Sequence, residues 1–90
     1  MLSESRFLEL SELNPEALLV DGLNKAVIGF GSKFTNAPVA IYDYDKCIEI
    51  FMEDNGWDYE EAMEWMSYNV VGAWMGEGTP IFMRKFEEEQ

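Results

Sequence analysis

Two amphipathic stripes in immediate succession, between Asp43 and Trp74, limit what this chain can become. At 100° per residue, Tyr44, Cys47, Ile48 and Phe51 share one arc with Ile50 and Met52 at its edges. Asp45, Lys46, Glu49 and Glu53 take the other side. Asp43 can cap this helix, and Asn55-Gly56 supplies a left-handed residue to stop it. Asp58 and Glu61 then form a capping box for a second helix. Its core stripe is Tyr59, Ala62, Met63, Met66, Val70 and Ala73, flanked by Trp65 and Trp74. Helices are therefore expected near residues 44–55 and 59–74.

Upstream the period is different. Ala26-Val27-Ile28-Gly29-Phe30 and Pro38-Val39-Ala40-Ile41-Tyr42 are β-rich and flank a loop of Gly, Ser and Asn, which predicts a hairpin over about residues 25–42. Pro80-Ile81-Phe82-Met83 predicts a last strand near 80–84, its proline at a first position where no donor is needed. The fold class that follows is α+β: a small antiparallel sheet, hairpin plus C-terminal strand, packed against two consecutive helices in one domain over residues 1–90. Residues 1–13 are expected to form an arm or short helix, and residues 86–90 a frayed acidic end. Asn14-Pro15-Glu16 offers a helix start, which the turn signal Asp21-Gly22 would limit to about two turns.

Charge narrows the functional classes. Eighteen Asp and Glu against six Lys and Arg leave −12, a field that repels nucleic acid and anionic membranes and favours basic protein surfaces. No apolar run approaches the roughly 20 residues of a membrane span. The lone Cys47 and the absence of a leader-like start lead to the expectation of a reducing, cytoplasmic setting. With no histidine in the chain, Cys47 has no imidazole base, and a small buried hydrophobe is its simplest role. Gly29, Gly31 and Lys33 suggest a phosphate loop, but the spacing is wrong and no helix signal follows. Asp45 and Glu49 share a helix face and could hold a hard cation, yet capping and solvation account for both. The expectation is no catalytic residue, no metal and no cofactor.

The segment "NVVGAWMGEGTP", residues 69–80, reads first as a helix stop. Gly72 and Gly76 weaken the helix by roughly 1 kcal/mol each relative to alanine, and their spacing of four would admit another backbone. Thr79-Pro80 forces extended geometry. Asn69 can bond to the loop backbone and Glu77 can accept from it, with Trp74 completing the motif.

A resemblance rests on several of these strings together: Tyr42-Asp43-Tyr44-Asp45-Lys46-Cys47-Ile48-Glu49, Glu60-Glu61-Ala62 with Glu64, Asn69-Val70-Val71-Gly72-Ala73-Trp74, and Gly76-Glu77-Gly78-Thr79-Pro80. The pattern resembles a small family of uncharacterised proteins of tailed bacteriophages and prophages, over about residues 23–83. The resemblance implies a phage setting and no particular reaction.

One feature of the second helix exceeds what a monomer uses. Tyr68, Val71 and Met75, at i, i+3 and i+7, lie opposite the core stripe beside Glu61 and Glu64. Either the N-terminal segment or the chain end covers them, or they face a partner. The leading expectation is a small acidic, non-enzymatic protein that occupies a basic surface of a host protein, in its sharper form by mimicking DNA or countering a defence system. The alternative is a homo-oligomeric structural or scaffold protein. Neither reading includes direct nucleic-acid or membrane binding.

Overall fold

The computed structural model of the chain describes residues 4–34, 36–72 and 75–86. Its elements in chain order are α1 (Glu4–Leu13), a 3-10 turn (Asn24–Ala26), β1 (Val27–Gly31), β2 (Val39–Asp43), α2 (Tyr44–Asn55), α3 (Tyr59–Trp65) continued by a π-helical turn (Met66–Val71), and β3 (Ile81–Met83). The class is α+β, with a three-stranded sheet in the order β1-β2-β3 and α2 packed against β2.

The sheet is mixed, where the expectation was antiparallel. β1 and β2 form the antiparallel hairpin, irregular between Val27 and Gly29, but β3 runs parallel to β2. The connection explains this. Antiparallel neighbours can join through a tight turn, whereas β3 follows β2 only after two helices, a crossover long enough to return the chain for a parallel pairing.

Local chemistry sets most boundaries. Asp43 ends β2 and at once caps α2, its Oδ1 accepting from the amides of Asp45 at 3.1 Å and Lys46 at 3.3 Å. Gly56, at φ 67°, closes that helix in the left-handed region. The capping box of α3 is complete: Glu61 N donates to Asp58 Oδ1 at 2.9 Å, and Asp58 N donates to Glu61 Oε1 at 3.4 Å. Its helix remains continuous only to Val71, and Ala73 and Trp74, at the far end of the expected span, lie outside the described residues.

Asn14 does not begin a helix. It follows α1, its amide still donating to the Leu10 carbonyl at 2.8 Å, and its buried side chain works in two directions. Oδ1 accepts from Glu16 N at 3.0 Å, and Nδ2 donates to the Pro38 carbonyl at 2.9 Å, pinning the chain to the start of β2. The side-chain turn that Asn offers competes with helix and wins here. Beyond it the chain runs as an irregular strap: Leu18 N donates to the Gly78 carbonyl at 3.0 Å, and Val20 N donates to the Tyr42 hydroxyl at 2.8 Å. A turn from Val20 to Leu23 with Gly22 at φ 84° ends the strap.

The core gathers residues from each layer: Leu10, Leu23, Ala26, Val27, Ala40, Tyr42, Tyr44, Cys47, Ile48, Ile50, Ala62 and Met66. Tyr42 on the central strand is fully buried and stacks on Phe82 of β3 at 5.3 Å between ring centroids. Tyr59, expected in the core stripe of α3, is instead about half exposed. It stands in the first turn, just after the cap, while the buried positions of that helix begin at Ala62.

Candidate interaction face

The link between α2 and α3 builds the site. The left-handed Gly56 turns the chain, and Trp57 follows before the Asp58 cap restarts a helix. Trp57 thereby sits between two helices, its ring 6.3 Å from Phe51 of α2 and 5.4 Å from Trp65 of α3, tilted 48° to the latter. These separations are those of favourable aromatic pairs. Trp57, Trp65 and Tyr68 line one open groove together with Glu61, Glu64 and Asn69. One Glu61 oxygen is held by the capping box. Glu64 has no ion pair among the described residues, whereas Lys46 pairs with Glu49 and Lys85 with Asp43, both at 3.5 Å.

The π turn determines what lies beyond the groove. Gly72 N donates to the Ser67 carbonyl at 3.1 Å, an i to i−5 bond. The wider turn keeps Ala62 and Met66 buried and Val70 half-buried at a spacing of four. Tyr68 and Val71 remain outside, 78% and 49% exposed, and Met75 is 54% exposed. Among the described residues, then, no segment covers these three side chains. They do not line one groove, however. Tyr68 belongs to the groove with Glu61 and Glu64, whereas Met75 lines a separate cleft with Leu19, Val70 and Thr79. Asn69 borders both, and Val71 borders neither.

The helix-stop motif is held differently from the expectation. Asn69 donates back to the Trp65 carbonyl at 3.4 Å inside its own helix. The loop is tied by Thr79, whose Oγ1 accepts from Met75 N at 2.9 Å and donates to the Gly76 carbonyl at 2.6 Å. Glu77 is exposed. Gly76 serves its backbone, at φ 94°, and a β-carbon there would meet open space. At Gly72 a β-carbon would strike the Ser67 carbonyl at 2.7 Å, so that glycine protects the π turn rather than admitting a strand. The close backbone approach occurs at buried Gly78, where a β-carbon would overlap the Glu16 carbonyl. Pro80 is buried just before β3, and Trp74 lies outside the described residues.

Helical spacing places Trp65 at the flank of the core and gives Trp57 no role. The signal was present in their spacing: one residue follows the left-handed glycine and the other follows eight positions on, with a complete helix cap between them.

Elsewhere, Cys47 is wholly buried and its thiol is pushed up to about 12, by burial first and by the Asp43 carboxylate second. Such a thiol is not a nucleophile near neutral pH. Asp45 is an exposed member of the first turn of α2, and Glu49 pairs with Lys46. Among the described residues no three Asp, Glu or Cys side chains converge on a possible metal position, and no helix is long and apolar enough to cross a membrane. Comparison with protein-family models, with curated proteins and with solved structures finds no match to this chain.

Proposed function

We propose that this chain is an acidic binding module that docks on a basic protein surface through the outer face of α3 and its π turn. The observation that carries the reading is the exposure of Tyr68 and Val71 on a helix whose neighbouring polar positions are Glu61 and Glu64. Apolar and aromatic side chains supply buried contact in such an interface, and the −12 charge supplies partner choice and on-rate. The π turn adds support, since π-helical turns recur at functional sites. The resemblance of residues 23–83 to tailed-phage proteins supports a bacterial host protein as the partner, met in the host cytoplasm, and a nucleic-acid-binding protein as the sharper form. The partner's basic groove would then be occupied in place of DNA.

The test uses the immobilised chain and its Val71→Glu variant side by side in bacterial lysate across a salt series. The expected result is capture of a basic protein by the parent at low salt, its release as salt rises, and at least tenfold less capture by Val71→Glu. Recovery of the parent alone, at a defined oligomer size that Val71→Glu disrupts, supports the self-assembling structural role instead. Identical behaviour of the two chains at every salt concentration removes this face from either role.

A further inference from the structure

The groove on α3 combines two features that general acidity does not produce. Two indole rings stand 5.4 Å apart at an angle of 48°, so they present an open, angled aromatic wall. Glu61 and Glu64 border the same space, and among the described residues no Lys or Arg lines it. A carboxylate beside an aromatic face is complementary to a cation with a flat, weakly hydrated surface. The chain already uses that chemistry internally, where the Arg84 guanidinium lies 4.5 Å from the centre of the Tyr44 ring.

Resting on the docking reading above, we propose that this groove receives one arginine side chain of the basic protein partner. Its guanidinium plane lies against Trp65 or Trp57 and donates to the Glu64 carboxylate, while Tyr68 covers the outer side. Arginine fits better than lysine for two reasons. A guanidinium stacks on an indole and donates two parallel hydrogen bonds to one carboxylate, and an ammonium is a compact point charge with a stronger hold on water. Glu61 contributes charge with restricted freedom, because its Oε1 accepts from Asp58 N. Glu64 is free to move onto the incoming group.

Three capped peptides differing at one position test the assignment: glycine-flanked arginine, lysine and citrulline, the last keeping the planar shape without the charge. Tryptophan emission follows the titration. The expected result is saturable binding of the arginine peptide, at least threefold weaker binding of the lysine peptide and no saturation with citrulline. Glu64→Gln should weaken the arginine peptide at least fivefold. Glu53→Gln, which removes the same charge from an exposed position of α2 outside the groove, should stay within twofold of the parent. Tyr68→Ala, at a position too exposed to affect folding, should weaken binding at least threefold.

Equal weakening by Glu53→Gln and Glu64→Gln overturns the proposal in favour of diffuse charge. Equal affinity for the lysine peptide overturns the guanidinium assignment, and unchanged binding by both Glu64→Gln and Tyr68→Ala overturns the groove. These outcomes are separate from the fate of the docking reading: loss of partner capture by Val71→Glu, with no response to the arginine peptide, would leave a docking face without this pocket.

Discussion

Cys47 and Tyr42 both belong to the core, and burial raises both of their pKa values, the thiol to about 12 from an ordinary 9.0. Each group is neutral when protonated, so the folded chain holds its protons while the unfolded chain loses them. Stability from the thiol is therefore intact below pH 9 and declines as pH rises from 9 towards about 12, with the phenol acting in the same direction from 10.0 upward. Urea titrations should give a lower unfolding free energy at about pH 10.5 than at about pH 8, by as much as about 1.4 kcal/mol per pH unit for one fully shifted group. At the lower pH a thiol reagent should label the native chain far more slowly than the urea-unfolded one. Rapid native labelling would mean that Cys47 is not enclosed. Gly78 makes a different kind of demand, because the Glu16 carbonyl occupies the place of a β-carbon. Gly78→Ala must push the strap off the loop and strain the Leu18–Gly78 hydrogen bond, at a cost of about 1–3 kcal/mol that a lowered thermal midpoint would report.

Helix α3 is only seven residues long before the π turn, so its start depends on the capping box. Asp58→Ala removes the side-chain acceptor for Glu61 N and should cost about 1 kcal/mol, whereas Asp58→Asn should cost much less, both measured by urea titration. If the alanine variant matched the parent, helical packing alone would be sufficient to start α3. Asn14 binds two elements together, and Asn14→Asp tests the donor half of that clasp. An aspartate can still accept from Glu16 N but cannot donate to Pro38 O, and the buried mismatch should cost about 1–3 kcal/mol. These two sites also mark where sequence reasoning succeeds and where it stops. Asp43, Gly56 and Asp58 act on residues within a few positions, so their pattern reveals the helix boundaries directly. Asn14 resembles the same kind of signal, but its partner at Pro38 is remote in sequence, and no local rule contains it. The direction of β3 escaped for the same reason, since the hydrophobic pattern of a strand is identical whether it runs parallel or antiparallel. For the candidate face, helical spacing alone identified Tyr68, Glu61 and Glu64 as neighbours. It failed at Met75, because the π turn changes the phase of the helix and the glycine loop carries Met75 to another cleft.

Charge at −12 on a 90-residue chain acts on the whole molecule in two opposite ways, and salt separates them. In the isolated chain the acidic groups repel one another. Eighteen acidic side chains face only six basic ones, and the pairs Lys46–Glu49 and Lys85–Asp43 involve exposed lysines, so attraction offsets little of that repulsion. Unfolding spreads the charges apart, and the compact state therefore gains when salt screens them. The thermal midpoint should rise by several degrees between about 10 mM and 200 mM sodium chloride, as the Debye length falls from roughly 30 Å to below 10 Å, because about 1 kcal/mol moves the midpoint of a domain this size by about 4–8 °C. A midpoint that falls over that range would show that attractive pairs dominate the folded charge distribution. Binding to a basic partner depends on the opposite sign: the same screening removes the attraction that steers the two surfaces together, so the complex should weaken while each free chain becomes more stable. Self-association through the α3 face brings two acidic surfaces together and must instead tighten with salt. One salt titration, read by thermal midpoint for the chain and by sedimentation for its assemblies, thus assigns the acidity to folding, to a partner or to neither. A midpoint and a sedimentation coefficient that both stay flat would leave the charge with no part in stability or assembly.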